Sequence, residues 1–421
     1  KKYDEYKDSG VAWIGEVPKH WEVIKLKYKY HFQTGATPNT GKKENFEGDL
    51  RWANISDLNG SVVYDTTKHI NKEAASKCSM NISPKGSLMY SFKLSVGTVA
   101  FCGEDMYTNE AIASFIPQKN DLKYLFYCAP IFIIHNANRN IYNAPLLNQE
   151  LIKNALICLP SLNEQTAIAT YLDTHCAKID NLISIQQKRI ALLQELKQSV
   201  ITHAVTKGLN PNVEMKQSGV EWIGDVPKHW KVLRGKYALS ILSGFPFDSQ
   251  KFEFEDNGVY MPLIRIRDIN GSSTEVYYSG SYPIESVVKT GEVLIGMDGD
   301  FNISKWKGTN ALLNQRVCKL REDSSMNTHY AFYMLSSPLK AINSVTYATT
   351  VKHLSVYDIY NAFIPVPPIS EQAAIASYLD HKCATIDASI SNAQHQIELL
   401  QEYKQSLITE VVTGKRKVTE N

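Results

Sequence analysis

An α+β chain with a pseudo-twofold internal repeat is the fold class the sequence predicts: two tandem α/β domains separated by two long antiparallel coiled-coil helices. Three observations predict it. The phrase SGVAWIGEVPKHW at 9–21 returns as SGVEWIGDVPKHW at 218–230, changed only at Ala12/Glu221 and Glu16/Asp225. The stretch 164–206 aligns without a gap on 371–413, with 27 of 43 positions identical. Each of these blocks follows a variable block of short β-rich runs bounded by Gly, Asn and Pro, the pattern of an α+β domain. The repeat is far longer than the roughly 20–50 residues of a solenoid unit, so it describes two domains, each with its own helical segment.

The helical blocks come first because their periodicity is strongest. Ile179, Ile183, Gln186, Ile190, Leu193, Lys197, Val200 and Ala204 alternate spacings of four and three, the seam of a coiled coil. Ile386, Ile390, Ala393, Ile397, Leu400, Lys404, Leu407 and Val411 repeat that register. The packing positions are therefore Ile179, Ile183, Ile190, Leu193 and Val200 in one copy, and Ile386, Ile390, Ile397, Leu400 and Leu407 in the other. Asn163 and Ser370 are the candidate N-caps, with Pro160 and Pro367 closing the preceding blocks. The pattern predicts a short helix over 164–173 and a long one over 178–205, about 42 Å at ~1.5 Å per residue. Two matching amphipathic helices in one chain pack most simply on each other. They run antiparallel, because the first must feed a whole domain before the second begins. Lys197 and Lys404 interrupt the stripe at equivalent positions. Snorkelling at a seam edge is the first reading, and a register-fixing or partner contact the second.

The variable blocks share a frame once aligned through their glycines. WANISDLNGS (52–61) matches LIRIRDINGS (263–272), Gly86 matches Gly291, Asn109 matches Asn314, and 150–160 matches 357–367. A helical piece is expected over 121–135. Within this frame Asn54 becomes Arg265 and Ser56 becomes Arg267, alternate positions on a predicted strand that point one way. Tyr90, Ser91 and Lys93 become Ile295, Gly296 and Asp298. A scaffold that keeps its core and exchanges its polar groups is what two readers of different targets look like; neutral surface drift is the competing reading.

Composition narrows the function classes. With 43% apolar and 21% charged residues, the chain reads as globular, and no run of 18 apolar residues predicts a membrane span. The opening KKYDEYKDSG lacks the apolar core of a signal peptide. Seven cysteines without C-x-x-C spacing point to a reducing, cytoplasmic setting. Net charge is +2, distributed as +3 over 1–160, +1 over 161–208, 0 over 209–367 and −2 over 368–421. That is not the footprint of a stand-alone DNA binder, so phosphate neutralisation would need local clusters or partner subunits.

Several motif fragments fail on chemistry. Gly35 to Lys43 resembles a phosphate loop, but has one residue too many between its glycines and a Lys where Ser or Thr must ligate magnesium. Glu195-Leu-Lys197 and Glu402-Tyr-Lys404 echo a nuclease E-x-K, but lie on helices with no upstream acidic strand residue. Asn143-Ala-Pro-Leu146 is a poor shadow of a methyltransferase loop, without a glycine-rich cofactor loop. The eleven histidines show neither H-E-x-x-H nor metal-ligand clustering, so no metal or catalytic residue is assigned.

Two copies of S-G-V-x-W-I-G-x-V-P-x-H-W, each followed by a variable block and an E-Q-x-A-I-A-x-Y-L-D helix, resemble the specificity subunit of type I restriction-modification enzymes. The resemblance covers nearly the whole chain. It implies target recognition domains over 1–160 and 209–367, and conserved helical spacers over 161–208 and 368–421, the last with a C-terminal tail. It implies a non-catalytic subunit that reads bipartite double-stranded DNA, one half-site per domain, with the helices setting the gap. It also implies two modification subunits carrying S-adenosylmethionine and methylating adenine, and restriction subunits using ATP and magnesium. At ~3.4 Å per base pair the 42 Å strut corresponds to about 12 base pairs. The candidate DNA contacts are Asn54, Ser56, Tyr90, Ser91, Lys93, Asn109, Arg139 and Asn140 in the first domain. In the second they are Arg265, Arg267, Asp298, Lys305, Asn314, Lys352 and His353, with the two arginines as guanine readers. Two other readings stay open: a duplicated coiled-coil scaffold for protein or glycan ligands, and an enzyme fused to its own recognition module.

Overall fold

The structure, a computed structural model, describes residues 2–118, 122–345 and 353–418. It divides into two compact units. Unit 1 is Lys1–Gln186 with His395–Asn421, and unit 2 is Gln187–Gln394. Each unit holds one variable block and takes a part of each long helix.

In unit 1 a five-stranded sheet runs in the order Phe32–Thr34, Ile112–Phe115, Leu88–Ser91, Val99–Cys102, Val62–Val63. A three-stranded sheet sets Leu50–Ala53 between Tyr107–Thr108 and Lys68–Ile70. Helix α1 (Lys72–Lys77) follows the latter, and α2 (Leu122–His135) covers the larger sheet. A short helix α3 (Gln149–Asn154) precedes Leu156–Leu159, which pairs antiparallel with Glu22–Lys25. Trp21, Leu88, Phe115, Tyr124 and Phe132 are fully buried at the centre of this core.

Unit 2 repeats the plan. Ser240–Ser243, Val317–Arg321, Val293–Gly296 and Ile303–Lys305 form a four-stranded sheet. A second, five-stranded sheet pairs Met261–Ile264 parallel to Ala311–Leu313. Helix α5 (Thr328–Val345) takes the place of α2, and α6 (Val356–Asn361) that of α3. Tyr124 and Tyr330 occupy equivalent, fully buried places. Tyr124 donates its hydroxyl hydrogen to the carbonyl of Cys158, and Tyr330 to that of Pro365.

The long helices are α4 (Leu162–Lys207) and α7 (Ile369–Val412). The break expected near 174–177 does not exist. Thr174-His-Cys-Ala contains neither Gly nor Pro, and Cys176 is buried in the core, so packing carries the helix through it. At 46 residues α4 is about 69 Å long rather than 42 Å. Asn163 and Ser370 lie inside the first turns rather than capping them. Ser161 caps α4, its Oγ accepting from the amide of Glu164 at 3.4 Å.

Along both helices the seam positions are buried or half-buried, while their flanks are largely exposed. In unit 1, Cys176, Ile179 and Ile183 of α4 share a core with Leu400, Leu407 and Val411 of α7. The seam lysines do not merely snorkel. Lys404 Nζ sits 2.7 and 2.8 Å from the two carboxylate oxygens of Asp180. In unit 2, Lys197 Nζ meets both oxygens of Asp387 at 2.7 Å. From Asp180 to Lys197 the partner on α7 moves back from Lys404 to Asp387, so the pair is antiparallel.

The twice-written phrase joins these parts. His20 lies 3.0 Å from Glu164 in the first turn of α4, and His229 lies 2.7 Å from Glu371 in the first turn of α7. Past the other ends of the helices, Gly208 and Gly414 turn the chain with φ of +76° and +73°. A Cβ on Gly208 would lie 3.1 Å from Trp230, and one on Gly414 would lie 2.2 Å from Pro18. The phrase is thus a clamp that holds one helix start and one helix end against each domain.

Candidate nucleic-acid interface

The shared D-x-N-G motif is structural. Asp57 accepts from the amide of Asn54, and Asp268 from that of Arg265, each at 2.9 Å. Both aspartates are buried, and each bends the chain out of its strand into a capped turn. Residues 54 and 56, and 265 and 267, therefore lie on turns rather than on strands.

A glycine crossing places these turns beside a second loop. In unit 1 the chain at Gly35 passes so close to Thr108 that a Cβ would lie 1.6 Å from the Thr108 carbonyl oxygen. Beside it, the Asn109 amide donates to the carbonyl of Ala53 at 2.9 Å. This brings Asn54, Ser56 and Asn109 to one rim. Asn54 Oδ1 accepts from the Ser56 amide at 2.8 Å, and Asn109 Oδ1 from the Ala111 amide at 3.0 Å. Lys93 joins them, 3.8 Å from Glu110, whose carboxylate also accepts from Thr37. The Thr37 hydroxyl, and secondarily Lys93, hold Glu110 below the usual carboxylate range against the opposing effect of burial.

Unit 2 repeats the crossing. A Cβ on Gly244 would lie 1.9 Å from the Asn314 carbonyl oxygen. The polar groups on its rim differ. Arg265 Nη2 donates to Glu275 at 2.9 Å, and Arg267 Nη1 lies 3.4 Å from the same carboxylate. Asp298 pairs with His353, and Arg316 Nη1 donates to His353 Nε2 at 2.7 Å. Arginine only donates, so Nε2 accepts in this contact, and Nδ1 faces Asp298.

Arg139 and Asn140 stand on a separate hairpin, Asn138–Arg139 against Pro145–Leu146. Asn140 Oδ1 accepts from the amides of Tyr142 and Ala144 at 2.9 Å, shaping a tip that projects Ile141 and Tyr142, 91% and 83% exposed.

Several candidates fall elsewhere. Tyr90 and Ser91 are fully buried, because Leu88–Ser91 is the central strand of its sheet and is covered on both faces. Ser91 spends its hydroxyl on the carbonyl of Leu94. Lys305 points to α7, where its ammonium lies 2.8 Å from Asp380. Lys352 lies outside the described residues. Sequence reasoning missed Thr37, Glu110, Glu275, Arg316 and Tyr142. Glu110 and Arg316 were within reach of it, one and two positions after the aligned asparagines.

Each rim carries planar, hydrogen-bonding side chains and cations that rest on neighbouring carboxylates, Lys93 on Glu110 in unit 1, and Arg265 and Arg267 on Glu275 in unit 2. Such groups can exchange a carboxylate for a base edge or a phosphate, while the carboxylates restrain indiscriminate phosphate binding. Among the described residues no three metal-ligating side chains cluster, and no helix is long and apolar enough to cross a membrane.

The sequence model for the type I restriction modification DNA specificity domain matches residues 18–195 and 228–399, one match on each copy. The chain belongs to this family. Relatives agree over most of its length. It is 27% identical over 431 residues to the MjaIX specificity subunit of Methanocaldococcus jannaschii, covering 97% of this chain and 96% of that protein. It is 34% identical over 203 residues to the Escherichia coli EcoBI specificity subunit, an alignment spanning 48% of this chain and 42% of that one. The fold is shared with a chain from a type I restriction-modification system solved for its assembly, with TM-score 0.74, 15% identity, and coverage of 94% and 98%. It is also shared with the HsdS subunit of Thermoanaerobacter tengcongensis, with TM-score 0.53, 16% identity, and coverage of 95% and 98%. As a member of the family, the chain is a DNA specificity subunit with two recognition domains. It is a non-catalytic component of its restriction-modification system.

Proposed function

We infer that residues 1–160 and 209–367 each read one half of a bipartite DNA site, and that 161–208 and 368–421 set the gap and dock partner subunits. The observation that carries this reading is the pair of rims. Both units build the same glycine crossing and capped turn, then present different polar groups on it. In unit 1 the readers are Asn54, Ser56, Lys93 and Asn109, with Arg139 and Asn140 on the hairpin. In unit 2 they are Arg265, Arg267, Asp298, Asn314 and His353, joined by Arg316.

The partners proposed are two modification subunits, which bring S-adenosylmethionine and methylate adenine, and restriction subunits with ATP and magnesium. The setting is the cytoplasm. Co-expression with the co-encoded modification subunit, followed by genome-wide mapping of methylated adenines, tests the reading. A two-part motif with a fixed gap supports it. A stable complex that methylates no motif would overturn the two-reader mechanism.

A further inference from the structure

Each unit also holds an open cavity between its variable block and the long helices. It measures about 720 Å³ in unit 1 and about 340 Å³ in unit 2. Four polar or polarisable wall residues correspond: Tyr127 to Tyr333, Cys176 to Cys383, Asp180 to Asp387, and Lys404 to Lys197. The strand beside each cavity differs at a charged position. The rung that pairs Val293 with Lys305 in unit 2 pairs Leu88 with Phe101 in unit 1.

That difference changes what stands against the aromatic wall of each cavity. In unit 2 the Lys305 ammonium lies 2.8 Å from Asp380, and 5.1 and 5.4 Å from the ring centres of Phe332 and Tyr333. Tyr333 donates its hydroxyl to the same carboxylate at 2.7 Å. Burial works against ionisation of Asp380, but the hydrogen bonds from Lys305 and Tyr333 prevail and hold it below its ordinary range. In unit 1 the matching acceptor is complete. Tyr127 donates to Asp173 at 2.5 Å, and Phe126 supplies the aromatic wall, stacked on Phe101 at 5.5 Å. The cation of unit 2 has no counterpart on that strand, and Asp173 makes no ion pair among the described residues. Lys123 stands at the rim, where unit 2 has His329.

We propose that the unit 1 cavity is a socket for a lysine or arginine side chain of a partner protein, the place that Lys305 fills from within in unit 2. A carboxylate oriented by a tyrosine hydroxyl beside aromatic rings favours an ammonium or guanidinium and repels phosphate. A volume of about 720 Å³ exceeds one side chain, so neighbouring residues of the partner enter with the cation. The choice of a modification subunit as that partner rests on the function proposed above.

The test uses the full chain and its co-encoded modification subunit, with association measured by titration and folding by thermal melting. Asp173→Asn keeps the shape and removes the charge. Phe101→Lys installs the arrangement of unit 2. Both are expected to weaken one of the two association steps about tenfold or more, the scale of a lost charge-assisted contact. Folded Asp173→Asn and Phe101→Lys chains that associate like the parent, and still methylate a bipartite site, would overturn the socket and leave the specificity reading intact. A parent chain that binds no modification subunit would overturn both. Self-association of the chain that Asp173→Asn abolishes would assign the socket to a second copy and also overturn the proposal.

Discussion

Replacing Lys404 by Met and Asp180 by Asn, singly and together, separates the two roles open to a lysine in a coiled-coil seam. At 2.7 Å, two unit charges in bulk water attract by about 1.5 kcal/mol. Here the lysine side chain is 30% exposed and the aspartate 55%, so water and salt screen the pair, and fixing the lysine costs entropy. The coupling left should be about 0.5–1 kcal/mol. Lys404→Met alone is a poor measure, because the thioether adds apolar contact at a half-buried site; the double-mutant cycle removes that contribution. The assay is urea unfolding at low and high salt, with the coupling expected to shrink as salt rises. The same cycle on Lys197 and Asp387, 31% and 54% exposed, should give the same value. Since the pairs lie in different compact units, a chain that unfolds in two steps should report them in different steps. Couplings below about 0.2 kcal/mol at both pairs would refute a stabilising role for these cross-helix ion pairs and return the lysines to simple snorkelling.

Three further outcomes follow. Arg267, more exposed than Arg265, is expected on substitution by Ala to cost about 1–3 kcal/mol of DNA binding and relax one base position, while Glu275→Gln, which frees both arginines, should raise non-specific affinity; site mapping and salt-dependent binding check both. Gly208→Ala should destabilise by about 1–2 kcal/mol through its left-handed backbone, and Gly414→Ala by more, because its Cβ would press on Pro18; equal melting temperatures would contradict this. Burial pushes the Cys158 and Cys318 thiols up to about 12, so both should resist alkylation in the folded chain while the less buried Cys78 reacts. The folded values exceed the unfolded one of 9.0, so this contribution is complete below pH 9 and is lost as pH rises towards 12.

The repeat, the seam and α2 were legible in the sequence because each is written in periodicity or identity, which local chemistry enforces. The continuity of α4 was not, since only the core around Cys176 shows that no break is needed there. Asn54 and Ser56 resembled strand positions because the bend depends on Asp57 reaching back to an amide. Tyr90 and Ser91 show the limit most clearly. A polar strand residue beside glycines reads as a rim residue, yet burial depends on what covers the sheet, and a single strand does not record that. Lys305 looked like a DNA contact for the same reason. Its partner, Asp380, is 75 residues away.

The clamp at the helix ends has a topological consequence. Gly208 meets Trp230 across a short connection, and Gly414 meets Pro18 and Trp21 across nearly the entire sequence, yet the two joints use the same residues. Lys207 reaches the carbonyl of Asp225 in one joint, and Lys415 that of Glu16 in the other. Peptide continuity therefore does not make the joint; the matched surfaces do. In connectivity the polypeptide is a closed loop of domain, helix, domain and helix, and the covalent backbone is needed at only one of its two equivalent seams. A protease nick within the exposed 209–212 stretch should leave unit 2 assembled, its helix end still seated on Trp230.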